Sequence, residues 1–168
     1  MSSKYLPYIS AVRLDAADDA MFFELLVQPL HEELYRRQNF NFLDDLSAGQ
    51  QLFLSYDYVQ QQVLQGGFIQ FLQNGYVSLL LPMPGWLTAM GAGDMAQVID
   101  DVLKAYVINI DKLDHETTVQ EFARLYEELP EFAVLDERFQ QYGEETMHKM
   151  LAYAREHLDE FARVEYSN

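Results

Sequence analysis

The chain has 168 residues, enough for one domain with its own core, and a formal net charge of -16 from 27 acidic and 11 basic residues. It contains no cysteine, which excludes disulfides, zinc–thiolate sites and thiol nucleophiles. So acidic a surface repels nucleic acid and anionic membranes, so direct binding to either is not expected and basic proteins are the favoured partners.

The N-terminal stretch Met1–Leu14 has neither a basic region before an apolar run nor a small-residue cleavage site, so no signal peptide is expected. The most apolar stretch, 76–92, is too short for a membrane span and is broken by Pro82, Pro84 and Gly85. A cytoplasmic protein is the expectation. Eleven Phe and eleven Tyr against a single Trp predict a core rich in aromatic rings.

Helical periodicity dominates, and no segment alternates for long enough to argue for a sheet. Asp15 is read as the cap of a first helix with Met21, Phe22, Leu25 and Leu26 inward and Asp18 and Asp19 in its first turn. Pro29 starts a second piece, with Leu30, Leu34 and Tyr35 inward and Glu32 and Glu33 outward. Ser47 caps a longer helix to about Leu64, burying Leu52, Phe53, Tyr56, Val59, Val63 and Leu64.

Gly66-Gly67 then marks a helix end, Phe68–Asn74 a short helical turn and Asn74-Gly75 a stop. The segment 82–93 reads as a connection with a single helical turn around Trp86. From Asp94, the spacing of Met95, Val98, Ile99, Val102, Leu103, Tyr106, Val107 and Ile110 predicts an amphipathic helix with Asp100 and Asp101 opposite. Thr118 and Glu121 form a capping box for a helix that buries Phe122, Leu125, Tyr126 and Leu129 and ends at Pro130. A short helix over 135–142 is stopped by Gly143. A final helix over about 144–164 turns Met147, Met150, Leu151, Ala154, Leu158 and Phe161 inward, with Glu145–Lys149 and Asp159–Arg163 as outward pairs. The fold class expected is all-α: one multi-helix domain over 1–168, with a Gly-Gly helix corner and a long C-terminal helix.

The residues offer little for catalysis. Glu145-x-x-His148 has the spacing of half a di-metal carboxylate site, but no second such pair exists. There is no Gly-x-Ser-x-Gly elbow, and Gly91-Ala92-Gly93 lacks the spacing and lysine of a phosphate loop. No enzyme activity, metal or cofactor is expected.

Acidic pairs, by contrast, recur at outward positions: Glu32-Glu33, Asp44-Asp45, Asp100-Asp101, Glu127-Glu128, Asp136-Glu137, Glu144-Glu145 and Asp159-Glu160. Adjacent like charges repel without helping a helix, so helix stability does not explain so many. A folded surface of roughly 8,600 Å² gives about one net charge per 500 Å², against about one phosphate per 100 Å² on duplex DNA. Imitating DNA would therefore need the acids gathered on one face.

The run from Gln65 to Asn74 is the one local string with the look of a signature. Two glycines let one helix end and the next begin almost in contact, while Phe68, Phe71 and Leu72 pin the second to the core. Gln70 and Asn74, four apart, are placed to hydrogen-bond the exposed backbone ends. With Gly66, Gly67, Phe68, Gln70, Phe71, Leu72 and Asn74 in register, and Gln65 in place of a leading Asn, the string resembles the hallmark of the DNA-mimic protein family of the neisserial type. The run 90–93 before an amphipathic helix and 135–139 ahead of the long C-terminal helix extend the similarity over about 45–162. The resemblance implies an all-helical, often homodimeric protein whose namesake presents acidic side chains like DNA phosphates to a DNA-binding regulator.

The functional expectation is an acidic module that occupies the basic face of a DNA-binding protein, such as a transcription regulator, through Asp100, Asp101, Glu127, Glu128, Asp136 and Glu137. The alternative is an immunity- or adaptor-type protein that grips its partner through an apolar surface around Trp86.

Overall fold

The computed structural model describes residues 4–115 and 117–166. They are helical nearly throughout, in the order β1 (Tyr8–Ser10), α1 (Ala11–Ala16), α2 (Asp19–Arg37), a 3-10 turn (Phe40–Asp45), α3 (Ala48–Gln73), α4 (Val77–Leu80), α5 (Met83–Ala89), α6 (Gly93–Ile108), α7 (Ile110–Leu113), α8 (Val119–Glu128), α9 (Glu131–Glu156), a 3-10 turn (Leu158–Glu160) and β2 (Arg163–Glu165). None of the described helices is long and apolar enough to cross a membrane.

Several starts follow directly from local chemistry. The side chain of Asp18 accepts from Met21 N at 2.8 Å and caps α2, and Ser10 caps α1, so Asp15 lies inside a helix and caps nothing. Ser47 and Gln50 form a reciprocal box: Ser47 Oγ accepts from Gln50 N at 3.1 Å and Gln50 Oε1 accepts from Ser47 N at 2.9 Å. Thr118 Oγ1 accepts from Glu121 N at 3.2 Å and opens α8.

Two expected breaks are absent. Pro29 sits within α2, where it only withholds one backbone donor from the preceding turn. Gly143 lies within α9, because the helix buries Phe139, Thr146 and Met150 around it, and this packing outweighs a glycine's cost of about 1 kcal/mol. The expected connection over 82–93 contains the seven-residue α5 rather than a single turn. Met21, Tyr35, Leu64, Val107 and Ile110 are exposed where periodicity placed them inward.

The chain divides into two compact units, residues 1–54 with 148–168, and residues 55–147, with both boundaries inside continuous helices. The first unit is centred on Phe53, stacked on Phe23 at 5.4 Å and tilted against Phe161 at 4.7 Å. A satellite cluster gathers Leu30, Phe42, Leu46 and Leu54. Here α9 stops at Glu156, and the chain turns into β2, which pairs in parallel with β1 in the register Tyr8–Arg163, Ile9–Val164 and Ser10–Glu165. Three-residue strands are too short to leave an alternating pattern. Arg163 is thereby drawn to Tyr8, donating to its hydroxyl at 3.0 Å, instead of pairing with Asp159.

The second unit packs Tyr56 and Phe68 against Phe139 at 5.8 and 5.3 Å, and Phe71 against Tyr76 at 5.7 Å. Met83, Leu87, Met95, Val98, Ile99 and Val102 from α5 and α6 are fully buried.

Gly143 has helical backbone geometry and open space where a side chain would begin. Gly143→Ala should therefore stabilise the protein by about 0.5–1 kcal/mol in urea unfolding. A loss of stability would show that the glycine bends or ends the helix.

Candidate functional site

The glycine string forms a corner in α3. Gly67 has φ 75° and ψ 178°, a region open essentially to glycine alone, and the helix resumes at once. Phe68 and Phe71 are completely buried. The side chain of Gln70 folds back over Gly66, which leaves no room for a Cβ there. A Cβ on Gly67 would run into the hydroxyl of Tyr126 and the carboxylate of Asp136.

Those two side chains, and not the amides of Gln70 and Asn74, satisfy the broken backbone. Asp136 Oδ1 accepts from Phe68 N at 2.9 Å, capping the resumed helix from 68 residues away. Tyr126 donates to Asp136 Oδ2 at 2.8 Å, and its oxygen lies 3.4 Å from the Gly66 carbonyl. Burial pushes the Asp136 carboxyl above its ordinary range, outweighing the two donors, and burial together with Asp136 pushes the Tyr126 hydroxyl up as well. Asp136 is thus a half-buried structural acid, engaged inside the second unit. Sequence reasoning missed the partnership because nothing local marks two positions so far apart. Asn74 is exposed and, with Gln70, Gln73, Thr117, Thr118, Val119 and Phe122, lines an open groove of about 260 Å³.

The same division of labour recurs in most other acidic pairs. One member holds the fold, and its neighbour faces outward. Glu33 takes Arg36 and Arg37, whose hydrogen bonds hold its carboxyl down at about 2. Asp45 takes Arg37 at 3.2 Å, Glu128 takes Lys112 at 3.4 Å, and Glu160 accepts from Gly49 N at 2.9 Å and from Tyr153 at 2.7 Å. Asp101 accepts from Gln97 at 2.9 Å and from Arg138 at 2.8 Å. Burial works to raise its carboxyl, but Arg138 and Gln97 hold it below the usual range. Among the described residues, no hydrogen bond or ion pair holds Asp44, Glu127, Glu137, Glu144 or Asp159, and all five are exposed. Asp100–Asp101 departs from the pattern, since Asp100 pairs with Lys104 at 2.9 Å. The recurrence of adjacent acids is therefore partly a matter of stability after all, supplied by tertiary partners rather than by the helix.

Charge is also unevenly shared along the chain. Residues 55–147 contain 15 acids and 4 bases, a net of -11 of the total -16, and every one of these charges except Asp57 falls at Asp94 or later. Three of the four bases, Lys104, Lys112 and Arg138, are already held by Asp100, Glu128 and Asp101. The six acids expected to meet a partner all lie in this stretch. The described residues hold no group of three or more His, Asp and Glu side chains placed for a metal ion. Trp86, expected at the heart of an apolar surface, is half-buried in α5.

A family model described as DMP19-like protein matches residues 44–157, which takes in all of α3 to α9 and with them the glycine corner, Tyr126 and Asp136. The chain belongs to the DMP19-like protein family. No curated protein matches it. The matched region contains the whole second unit and each contact that builds the corner, so family membership and the corner geometry describe the same part of the chain.

Two outcomes follow from the corner. Gly67→Ala should cost about 3 kcal/mol or more in urea unfolding, from backbone strain and from displacing Tyr126 and Asp136, and a cost below about 1 kcal/mol would show the corner relaxes freely. A raised folded-state carboxyl favours the protonated form, so the stability it lends is full below the ordinary Asp value near 3.8 and is lost as pH rises through the folded value. The stability of the parent relative to Asp136→Asn should therefore fall as pH rises from about 3 to 7. A rising difference would mean the two donors outweigh burial.

Proposed function

We propose that this protein is a DNA mimic that occupies the basic DNA-binding face of a transcription regulator or another DNA-binding protein and so keeps DNA off it. Support comes from three directions: membership of the DMP19-like family, the net charge of -11 within residues 55–147, and the capture of nearly all nearby bases by the chain's own carboxylates. The last carries the reading. With Lys104, Lys112 and Arg138 neutralised, carboxylates such as Glu127 and Glu137 remain for a partner's Lys and Arg side chains.

The structural roles sort the six candidate acids. Asp136 and Asp101 position the fold, Asp100 and Glu128 are shared with a lysine at the surface, and Glu127 and Glu137 are the most available to a partner. An interaction of this kind works by charge at the surface, where screening is strong.

DNA-binding proteins captured from host lysate at about 50 mM salt should be released roughly tenfold or more by about 200 mM salt, and duplex DNA should displace them. Glu127→Lys combined with Glu137→Lys should weaken capture by roughly tenfold or more while leaving the melting temperature near the parent's. Capture that ignores both salt and competing DNA would rule the mimic out.

A further inference from the structure

The glycine string carries two polar side chains that the corner does not use. Asp136 and Tyr126 serve the broken backbone, while the carboxamides of Gln70 and Asn74 have no hydrogen-bond partner among the described residues. Both side chains line the groove at the end of α3, together with Gln73, Thr117, Thr118, Val119 and Phe122. Its two walls differ in chemistry. The end of α3 and the residue after it supply three carboxamides, whereas α8 supplies Val119, which is 87% exposed, and the half-buried Phe122. Thr117 ties the walls together by accepting from Gln73 Nε2 at 3.2 Å.

The hydrogen-bonding capacity left over selects the ligand. Gln73 gives its nitrogen to Thr117 and keeps its oxygen as an acceptor, and the Thr117 hydroxyl keeps its proton to donate. Thr118 Oγ1 accepts from Glu121 N and likewise keeps a proton. Gln70 and Asn74 each offer donors and an acceptor. None of these seven residues is charged, in a chain whose net charge is -16. Glu121 and Arg124 of α8 line a separate pocket that has only Thr117 in common with the groove. A charged group entering here would lose part of its water without meeting a counter-charge. The groove therefore favours an uncharged ligand that presents donors and acceptors side by side.

An extended peptide is built in that way. Its edges present N–H and C=O groups in turn, and its side chains alternate between two faces. A carboxamide reproduces the donor and acceptor of a backbone amide, so the α3 wall can stand in for the edge of a sheet. Main-chain groups then meet the carboxamides while one apolar side chain rests on Val119 and Phe122, as strands are recognised elsewhere by backbone bonds and side-chain pockets together. The size agrees. A volume of about 260 Å³ lies just below the roughly 300–1,000 Å³ of sites that enclose small molecules, and an open groove suits a segment that passes through it.

We propose that this groove binds an extended, uncharged peptide segment of a partner protein, with Gln70, Gln73, Asn74 and Thr117 reading its backbone and Val119 and Phe122 taking an apolar side chain. The site is separate from the exposed carboxylates and does not rest on the mimic reading.

The probe is a capped hexapeptide of alternating Ser and Val, titrated into nitrogen-15-labelled protein and followed through the side-chain amide signals of Gln70, Gln73 and Asn74. Those signals should shift saturably. A counterpart methylated at every backbone nitrogen should bind roughly tenfold more weakly or worse, since its donors are gone. Asn74→Leu and, separately, Val119→Ser should each weaken binding several-fold without moving the melting temperature, because both positions are exposed. Absence of a saturable shift at millimolar peptide, or equal binding of the methylated peptide, would overturn the proposal. So would affinity unchanged in both variants, tighter binding when Lys or Glu replaces Ser, or glucose shifting the same signals at lower concentration than the peptide.

Discussion

The second unit depends on one half-buried carboxylate meeting one backbone N–H. Breaking α3 at Gly67 leaves the Phe68 N–H without a partner inside the helix, and Asp136 supplies the acceptor from α9. Because Asp136 also holds Tyr126, the corner joins three helices through a single side chain. Phe68 and Phe139 pack edge-on within the same neighbourhood, so polar closure and aromatic packing support each other. The two glycines are explained by this arrangement: Gly66 makes room for the folded-back side chain of Gln70, and Gly67 makes room for Tyr126 and Asp136 and adopts the positive φ the corner needs.

That corner also changes how the acidity of the chain is understood. A doublet of carboxylates gives a helix one acid that reaches inward or sideways to a tertiary partner and one that points to solvent about 100° further round. The inner acid does the structural work, and the outer acid adds charge to the surface. A protein that needs both a stable helical fold and a strongly negative exterior can meet both demands with the same two-residue unit, used repeatedly. Surface carboxylates held by no base contribute little to stability, and their number suits recognition better than folding.

Local signals in the sequence were legible and long-range ones were not. The Ser47 and Thr118 caps, the glycine corner and the core faces of α3 and α6 could be read because each depends on residues within a few positions. Pro29 and Gly143 have the chemistry of helix breaks but do not break their helices, since their intrinsic cost is about 1–3 kcal/mol and packing along a 19- or 26-residue helix exceeds it. The partnership of Tyr126 and Asp136 with Gly67 left no trace in the pattern, and neither did the short strands. The functional region was legible as composition, through its acids, but which acids were free depended on where Arg138, Lys112 and Lys104 came to rest. The outward Val107 and Ile110 fitted a buried stripe by spacing alone, and only their exposure set them apart.

The parallel ladder between Tyr8–Ser10 and Arg163–Glu165 has a consequence for biosynthesis. Residues 55–147 are contiguous, and their contacts can form as soon as they leave the ribosome. The other unit is discontinuous, and it waits for Phe161, which packs on Phe53 and accepts from the Gln50 amide through its carbonyl. At about 5–20 residues per second, the hundred-odd residues between Leu54 and β2 impose a delay on the order of ten seconds. During that interval Phe23 and Phe53 lack part of their covering. The segment around Phe23 and Phe53 is thus open to chaperones and proteases for that interval, which ends when Phe161 arrives and the ladder closes.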